Sequence, residues 1–234
     1  APAAPPRPPR PPTAAAVRRT GIVTLTQIHP INIRIGGFYK LPTVTELSAL
    51  REPLLRARDH ALATVRWVAG FPFPDVERDC ELVSLRHPDE YPLNEGQLVS
   101  SSGLCIDPSD FEQHFGETHV EHSSALQAFR RSDGAPYLVG PLARYNLCGD
   151  KLPELAQQAA RDAKLPAHCR NPFQSIIVRA VELVFACDEA LRVVEAYRPS
   201  GPAYVAAEPR DAEGAAATCA PQPQRVIRSA EHHC

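Results

Sequence analysis

The sequence predicts a mainly α fold, a helical bundle with a few short strands or a hairpin, carried between disordered tails. Three observations predict it. Residues 171–197 keep apolar side chains on a 3.6-residue period, a capping box opens a second periodic stretch at Thr43, and residues 1–16 offer almost nothing to bury.

At 234 residues with a hydrophobic share of 44%, the chain has enough apolar surface for one large domain or two small ones. The expected organisation is a Pro/Ala/Arg-rich disordered tail over 1–20, an incomplete domain over 21–206, and an irregular, out-of-frame tail over 207–234. The formal charge of -2 gives no basic field for nucleic acid and no polybasic segment for a membrane surface. No apolar run approaches the roughly 20 residues that cross a bilayer, and no secretory leader is visible, so the expected location is cytoplasmic. The seven cysteines form no C-x-x-C pair, which leaves neither a disulfide framework nor a zinc or iron–sulfur signature. Most are expected as buried thiols. The chain has no methionine, and we read it as a slice of a longer product or a damaged reading of one.

After the tail, Ile31, Asn32, Ile33, Arg34 and Ile35 alternate with period two into Gly36-Gly37, the pattern of a half-buried strand. Thr43 and Glu46 form the capping box, and Leu47, Leu50, Leu54, Leu55, Leu62, Val65 and Val68 supply a helical stripe. Pro53 splits or kinks it, and Gly70-Phe71-Pro72 stops it. Residues 80–86 and 96–104 read as strands of a small hairpin, with Asn94-Glu95-Gly96 as the turn. Asp107-Pro108 starts a helix that runs toward Glu117, and a shorter helix is expected around Ser124–Arg130. Leu152–Ala163 is a further helix, closed by Pro166. Asn171 caps and Pro172 opens the strongest element, about 40 Å long at 1.5 Å per residue. Its apolar surface is wide enough to sit inside a bundle, with Arg179, Glu182, Glu189 and Arg192 at the edge.

Five blocks carry a resemblance: IHPINIRIGGFYK at 28–40, LRHPDEYPLNEGQLVSSSGL at 85–104, HFGETHVEHSSAL at 114–126, YLVGPLARYNL at 137–147, and CRNPFQSIIVRAVELVFACDEAL at 169–191. In this order and spacing they resemble the large (alpha) subunit of cytoplasmic nickel-iron hydrogenases, of the NAD(P)-linked or sulfhydrogenase type. The resemblance covers Ile28 to Pro199. It implies a helix-rich subunit that holds a nickel-iron centre and docks on a small subunit carrying Fe-S clusters, with flavin/NAD(P) diaphorase subunits completing the circuit. Soft thiolates on nickel would let hydrogen split heterolytically there, and the clusters would carry the electrons away.

The sequence departs from that family at the metal. The R-x-C-x-x-C and D-P-C-x-x-C pairs, which the resemblance implies as the four thiolate ligands, are absent, and Ala220-Pro221 does not complete the expected A-P-R-G segment. A change of frame or a truncation near Ala207, with an altered reading before Gly21, accounts for both. No catalytic, cofactor-binding or metal-binding residue is therefore expected, and no nickel-iron centre in this chain as given. The retained candidates are His29, Asn32, Gly36 and Gly37, which the resemblance places at the active-site wall or the subunit interface. An architectural role, the glycines permitting a turn and His29 satisfied by backbone, stands equally open.

His114, His119 and His122 with Glu112, Glu117 and Glu121 have a superficial look of a metal site, and helical spacing brings 114, 117 and 121 near one face. A solvated or interfacial polar surface is the preferred reading. His232, His233 and Cys234 are expected to have incidental metal affinity only. Arg144 or Arg170 is expected to pair with carboxylates. No G-x-S-x-G elbow, P-loop or G-x-G-x-x-G is present. Two functional readings follow: the central part of a hydrogenase catalytic subunit, inactive as an isolated chain, or a non-catalytic interaction fragment, with a metal-free complex I-type homologue as a related alternative.

Overall fold

The computed structural model describes residues 31–207 and two further strands, Ala215–Ala217 and Val226–Arg228, which pair antiparallel. His29, the 1–20 tail and most of 207–234 lie outside the described residues. The chain divides into two compact units, Ala1–Gly70 with Leu183–Arg210, and Phe71–Glu182 with Asp211–Cys234.

In the first unit, strands β1 (Ile33–Arg34) and β2 (Gly37–Phe38) pair antiparallel, and helices α1 (Val44–Ser48) and α2 (Arg51–Ala69) follow. The capping box at Thr43 is present in both directions: its hydroxyl accepts from the Glu46 N–H at 3.2 Å, and the Glu46 carboxylate accepts from the Thr43 N–H at 2.7 Å. The expected break falls at Ala49-Leu50 rather than at Pro53. Proline lacks an N–H, so the chain restarts its helix just upstream and puts Pro53 in the first turn, where no donor is needed. Gly70 ends α2 in a right-handed conformation, so the prolines that follow, not a left-handed glycine, stop the helix. Arg58 bonds Asp188 at 2.9 Å and the Tyr197 hydroxyl donates to the Pro42 carbonyl at 2.9 Å, tying the later segment to the helices.

The second unit overturns the helical bundle. Its centre is a four-stranded mixed sheet in the order β5 (Cys105–Ile106), β4 (Gln97–Ser100), β3 (Glu81–Arg86), β8 (Tyr137–Leu138), with β8 parallel to β3. The expected hairpin is thus the middle of a larger sheet, and the link between β3 and β4 spans residues 87–96. Beyond a short helix α3 (Phe111–His114), the expected helices up to Glu117 and over Ser124–Arg130 are a β-hairpin, β6 (Phe115–Val120) with β7 (Ser123–Arg130). The reason is in the residues. Gly116, Thr118 and Val120 weaken a helix, and the segment has no apolar stripe to bury, whereas pairing satisfies its backbone without one.

Val83, Leu85, Leu98 and Phe115 form a buried core cluster at the sheet. Each contributes about 1.5–3 kcal/mol on burial. Phe115 stacks on Phe111 at 4.9 Å and tilts against Tyr137 at 4.7 Å between ring centroids. Helix α4 (Pro141–Cys148) lies against β3, and α5 (Glu154–Asp162) buries Ala156, Ala159 and Ala160. Asn146 clamps the next loop: its side chain donates to the Cys169 carbonyl at 3.0 Å and accepts from the Cys169 N–H at 2.8 Å.

The strongest sequence element is helical as expected. Asn171 accepts from the Phe173 N–H at 2.9 Å, a 3-10 turn covers Pro172–Gln174, and α6 (Ser175–Ala196) follows. Ile177, Val178, Ala180, Val181 and Val184 are buried. No helix among the described residues is long and apolar enough to cross a membrane.

Candidate functional site

Asn32 is 1% exposed, and its burial is explained by the loop it closes. Its amide donates to the Lys40 carbonyl at 2.7 Å and accepts from the Lys40 N–H at 2.9 Å, while its own carbonyl accepts from Tyr39 N–H at 2.9 Å. One side chain thereby pins both ends of the β1–β2 turn. Gly36 and Gly37 have φ of +85° and +145°, and a Cβ at Gly37 would lie 2.5 Å from the Ala203 carbonyl oxygen. The later segment packs directly on this bare backbone. Phe38 N–H donates to Ala203 and Val205 N–H donates to Gly36, both at 2.9 Å. The Arg34 guanidinium sits 3.6 Å from the Tyr204 ring centroid and 5.1 Å from that of Tyr39.

The structure therefore brings together three of the four expected positions; His29 lies outside the described residues. The period-two alternation of the segment is present, with the polar Asn32 on the covered side. Ile31, Ile33 and Ile35 are 59%, 52% and 79% exposed while Asn32 is buried. Period two says that alternate residues share a face, not which face is covered. Tyr39, at the other end of the turn, is exposed as well, so four large apolar side chains of this segment face outward among the described residues.

A second cluster lies inside the second unit. Arg144 Nε donates to Glu182 Oε1 at 2.7 Å and its terminal nitrogen donates to Oε2 at 2.9 Å. The Tyr91 hydroxyl also donates to Oε1, at 2.7 Å. Burial, and then the Glu182 charge, push the Tyr91 phenol well above its ordinary range, so it stays a donor at any working pH. The expected pairings of Arg144 and Arg170 are both present, the second as a solvent-exposed bridge to Asp79 at 3.0 Å. Glu182, expected at the edge of a bundle, instead turns its largely buried side chain to Arg144, because a buried arginine requires a carboxylate beside it.

The described thiols do not fit a nickel-iron centre. Cys148 donates to the Leu85 carbonyl at 3.3 Å and Cys169 to the Gln174 side chain at 3.3 Å, while Cys105 is exposed and Cys80 and Cys187 are half-buried. Burial raises the thiols of Cys80, Cys169 and Cys187, which disfavours the thiolates that soft metals need. Among the described residues no three His, Cys, Asp or Glu side chains gather around a common metal position. The expected one-face grouping of His114, Glu117 and Glu121 is not formed: they fall on a helix end, a strand and a turn. His232, His233 and Cys234 lie outside the described residues.

No family model matches the chain. It is 25% identical over 170 residues to the alpha chain of sulfhydrogenase 1 from Pyrococcus furiosus, covering 72% of this chain and 39% of that protein. It is 32% identical over 108 residues to a vhu chain of the F420-non-reducing hydrogenase from Methanococcus voltae, covering 42% of this chain and 26% of that one. Its fold is similar to an NAD+-reducing NiFe-hydrogenase chain, with a TM-score of 0.65, 21% identity and coverage of 87% and 50%. A NiFeSe-hydrogenase from Dm. baculatum gives 0.64, 14% identity and coverage of 87% and 51%. The chain is hydrogenase large-subunit-like, and it spans about half or less of the length of these relatives and structures.

Proposed function

We propose that this chain is a scaffold part of a nickel-iron hydrogenase large subunit. It docks on a small subunit carrying Fe-S clusters and, as an isolated chain, neither holds nickel nor turns over hydrogen. One observation carries this reading: a hydrogenase-type fold holds its buried thiols against protein acceptors instead of converging them. In an intact protein the nickel-iron centre would come from ligands this sequence lacks, and the electrons would pass through the small subunit to a flavin/NAD(P) diaphorase. No step through the metal is assigned to these residues.

The docking surface in this proposal is the exposed apolar ribbon of Ile31, Ile33, Ile35 and Tyr39, next to Asn32, Gly36 and Gly37. The closed Asn32–Lys40 turn holds the ribbon in one shape before binding, which lowers the ordering cost of association. The free thiols of the five described cysteines support a reducing, cytoplasmic setting. The test is co-expression with a hydrogenase small subunit, followed by affinity purification and nickel analysis. Co-purification that Ile33→Asp and Ile35→Asp both abolish, with nickel far below one per chain, is the expected result. One nickel per purified chain, or hydrogen-dependent dye reduction by the chain alone, overturns the proposal.

A further inference from the structure

We infer that a cavity of about 340 Å³ in the second unit, bounded by the β3–β4 sheet and the base of the β6–β7 hairpin, binds a small carboxylate with an apolar body. Its two halves differ in chemistry. Val83, Leu104 and Phe115 line one part, and the first and last of these belong to the buried core and cannot withdraw. Arg130 and Arg131 lie on the other.

The two arginines are not equivalent. Arg130 is neutralised, facing Glu81 at 3.3 Å and Asp133 at 2.5 Å. Glu81 is fixed in turn by the Ser102 N–H at 3.0 Å and the Ser102 hydroxyl at 2.6 Å. Arg131 has no carboxylate partner among the described residues. Its Nε donates to the Glu112 carbonyl at 2.7 Å and the Phe115 carbonyl at 3.0 Å, which uses one donor, and among the described residues the terminal nitrogens have no acceptor. Its guanidinium carbon would come within 3.3 Å of a Cβ at Gly116, so the bare glycine lets the planar group settle against the hairpin. A cation held by its inner nitrogen, with outer donors left over at the rim of an apolar cavity, is preorganised for a carboxylate whose body enters the apolar part.

The cavity size suits a single aromatic or short aliphatic acid, and benzoate is the probe. Benzoate titrated into the full chain at pH 7, read by amide chemical shifts, is expected to move Gly116, Arg131 and Ser132 in a saturable way. Arg131→Gln weakens binding about tenfold or more, the loss of a charge-assisted pair, while Arg170→Gln on the exposed loop leaves it unchanged. Because Arg131 also braces the hairpin, Ser132→Trp provides a second variant: at an exposed position lining the cavity it blocks entry without touching that brace. Equal affinity in Arg131→Gln, undiminished binding in Ser132→Trp, inorganic phosphate binding as tightly as benzoate, or no saturable shift overturns the inference.

Discussion

Arg144 and Glu182 form a two-pronged ion pair in which the arginine side chain is 1% exposed and the carboxylate side chain 12%. The Tyr91 hydroxyl takes part at the same oxygen, so both charges are met by hydrogen bonds as well as by each other. Removing either partner leaves a charge sealed in apolar surroundings. Arg144→Met or Glu182→Leu alone is expected to destabilise the chain by about 3–5 kcal/mol, whereas the double variant recovers most of that loss. Urea unfolding of the four proteins measures the coupling, and additive losses would refute it.

Gly36 sits at φ +85°, and a Cβ there would overlap the Val205 carbonyl oxygen. Gly36→Ala therefore meets backbone strain of about 1–3 kcal/mol and a clash that no side chain can relieve. Amide exchange at Phe38 and Val205, whose N–H groups bridge the two segments, is expected to accelerate sharply in this variant. Unchanged protection at both amides would show that the contact does not hold the turn.

What is legible in the sequence is what is decided locally. The Thr43–Glu46 box, the Asn171 cap and the long apolar period after it each depend on residues within a few positions, and each is found in place. At 115–130 the residues argue against a helix, but the hairpin itself is not legible, because the pairing of the two strands is not written in either strand's own pattern. Which face of Ile31–Ile35 is covered is not legible from period two alone, since Asn32 finds its partners eight residues on. Glu182 does carry a signal: an arginine within the apolar PLARYNL helix must meet an anion, and α6 offers one between buried valines. The missing thiolate pairs are visible in the sequence itself as absent motifs.

Glu81 makes stability depend on acid. Its burial alone would raise its pKa, yet hydrogen bonds from Ser100 and Ser102 and the charge of Arg130 prevail and hold it below the ordinary 4.5. The unfolded chain thus takes up this proton first. The stabilisation is complete above about 4.5 and is lost as pH falls through the lower folded value. Glu81→Gln should be less stable at neutral pH and should show a shallower decline below 4.5. Urea midpoints measured across the acid range test this, and parallel curves for the two proteins would remove Glu81 from the account.

The described thiols should react in an order set by access. Cys105 is exposed, its thiol donating to the Gln97 side chain at 3.2 Å, while Cys148 and Cys169 are 0% and 2% exposed. Attack on a reagent needs a reachable thiolate; burial denies reach to both inner thiols and also raises the Cys169 thiol above its ordinary range. Pulse labelling with iodoacetamide followed by peptide mass spectrometry is expected to mark Cys105 within the native pulse and to mark Cys148 and Cys169 only once the chain unfolds. Added nickel should leave that order unchanged, because no described thiolate is poised to receive it. Protection of Cys105 by nickel, or native-state labelling of Cys148, would mean that these sulfurs are available for a soft metal after all, and the scaffold reading would then give way to a binding one.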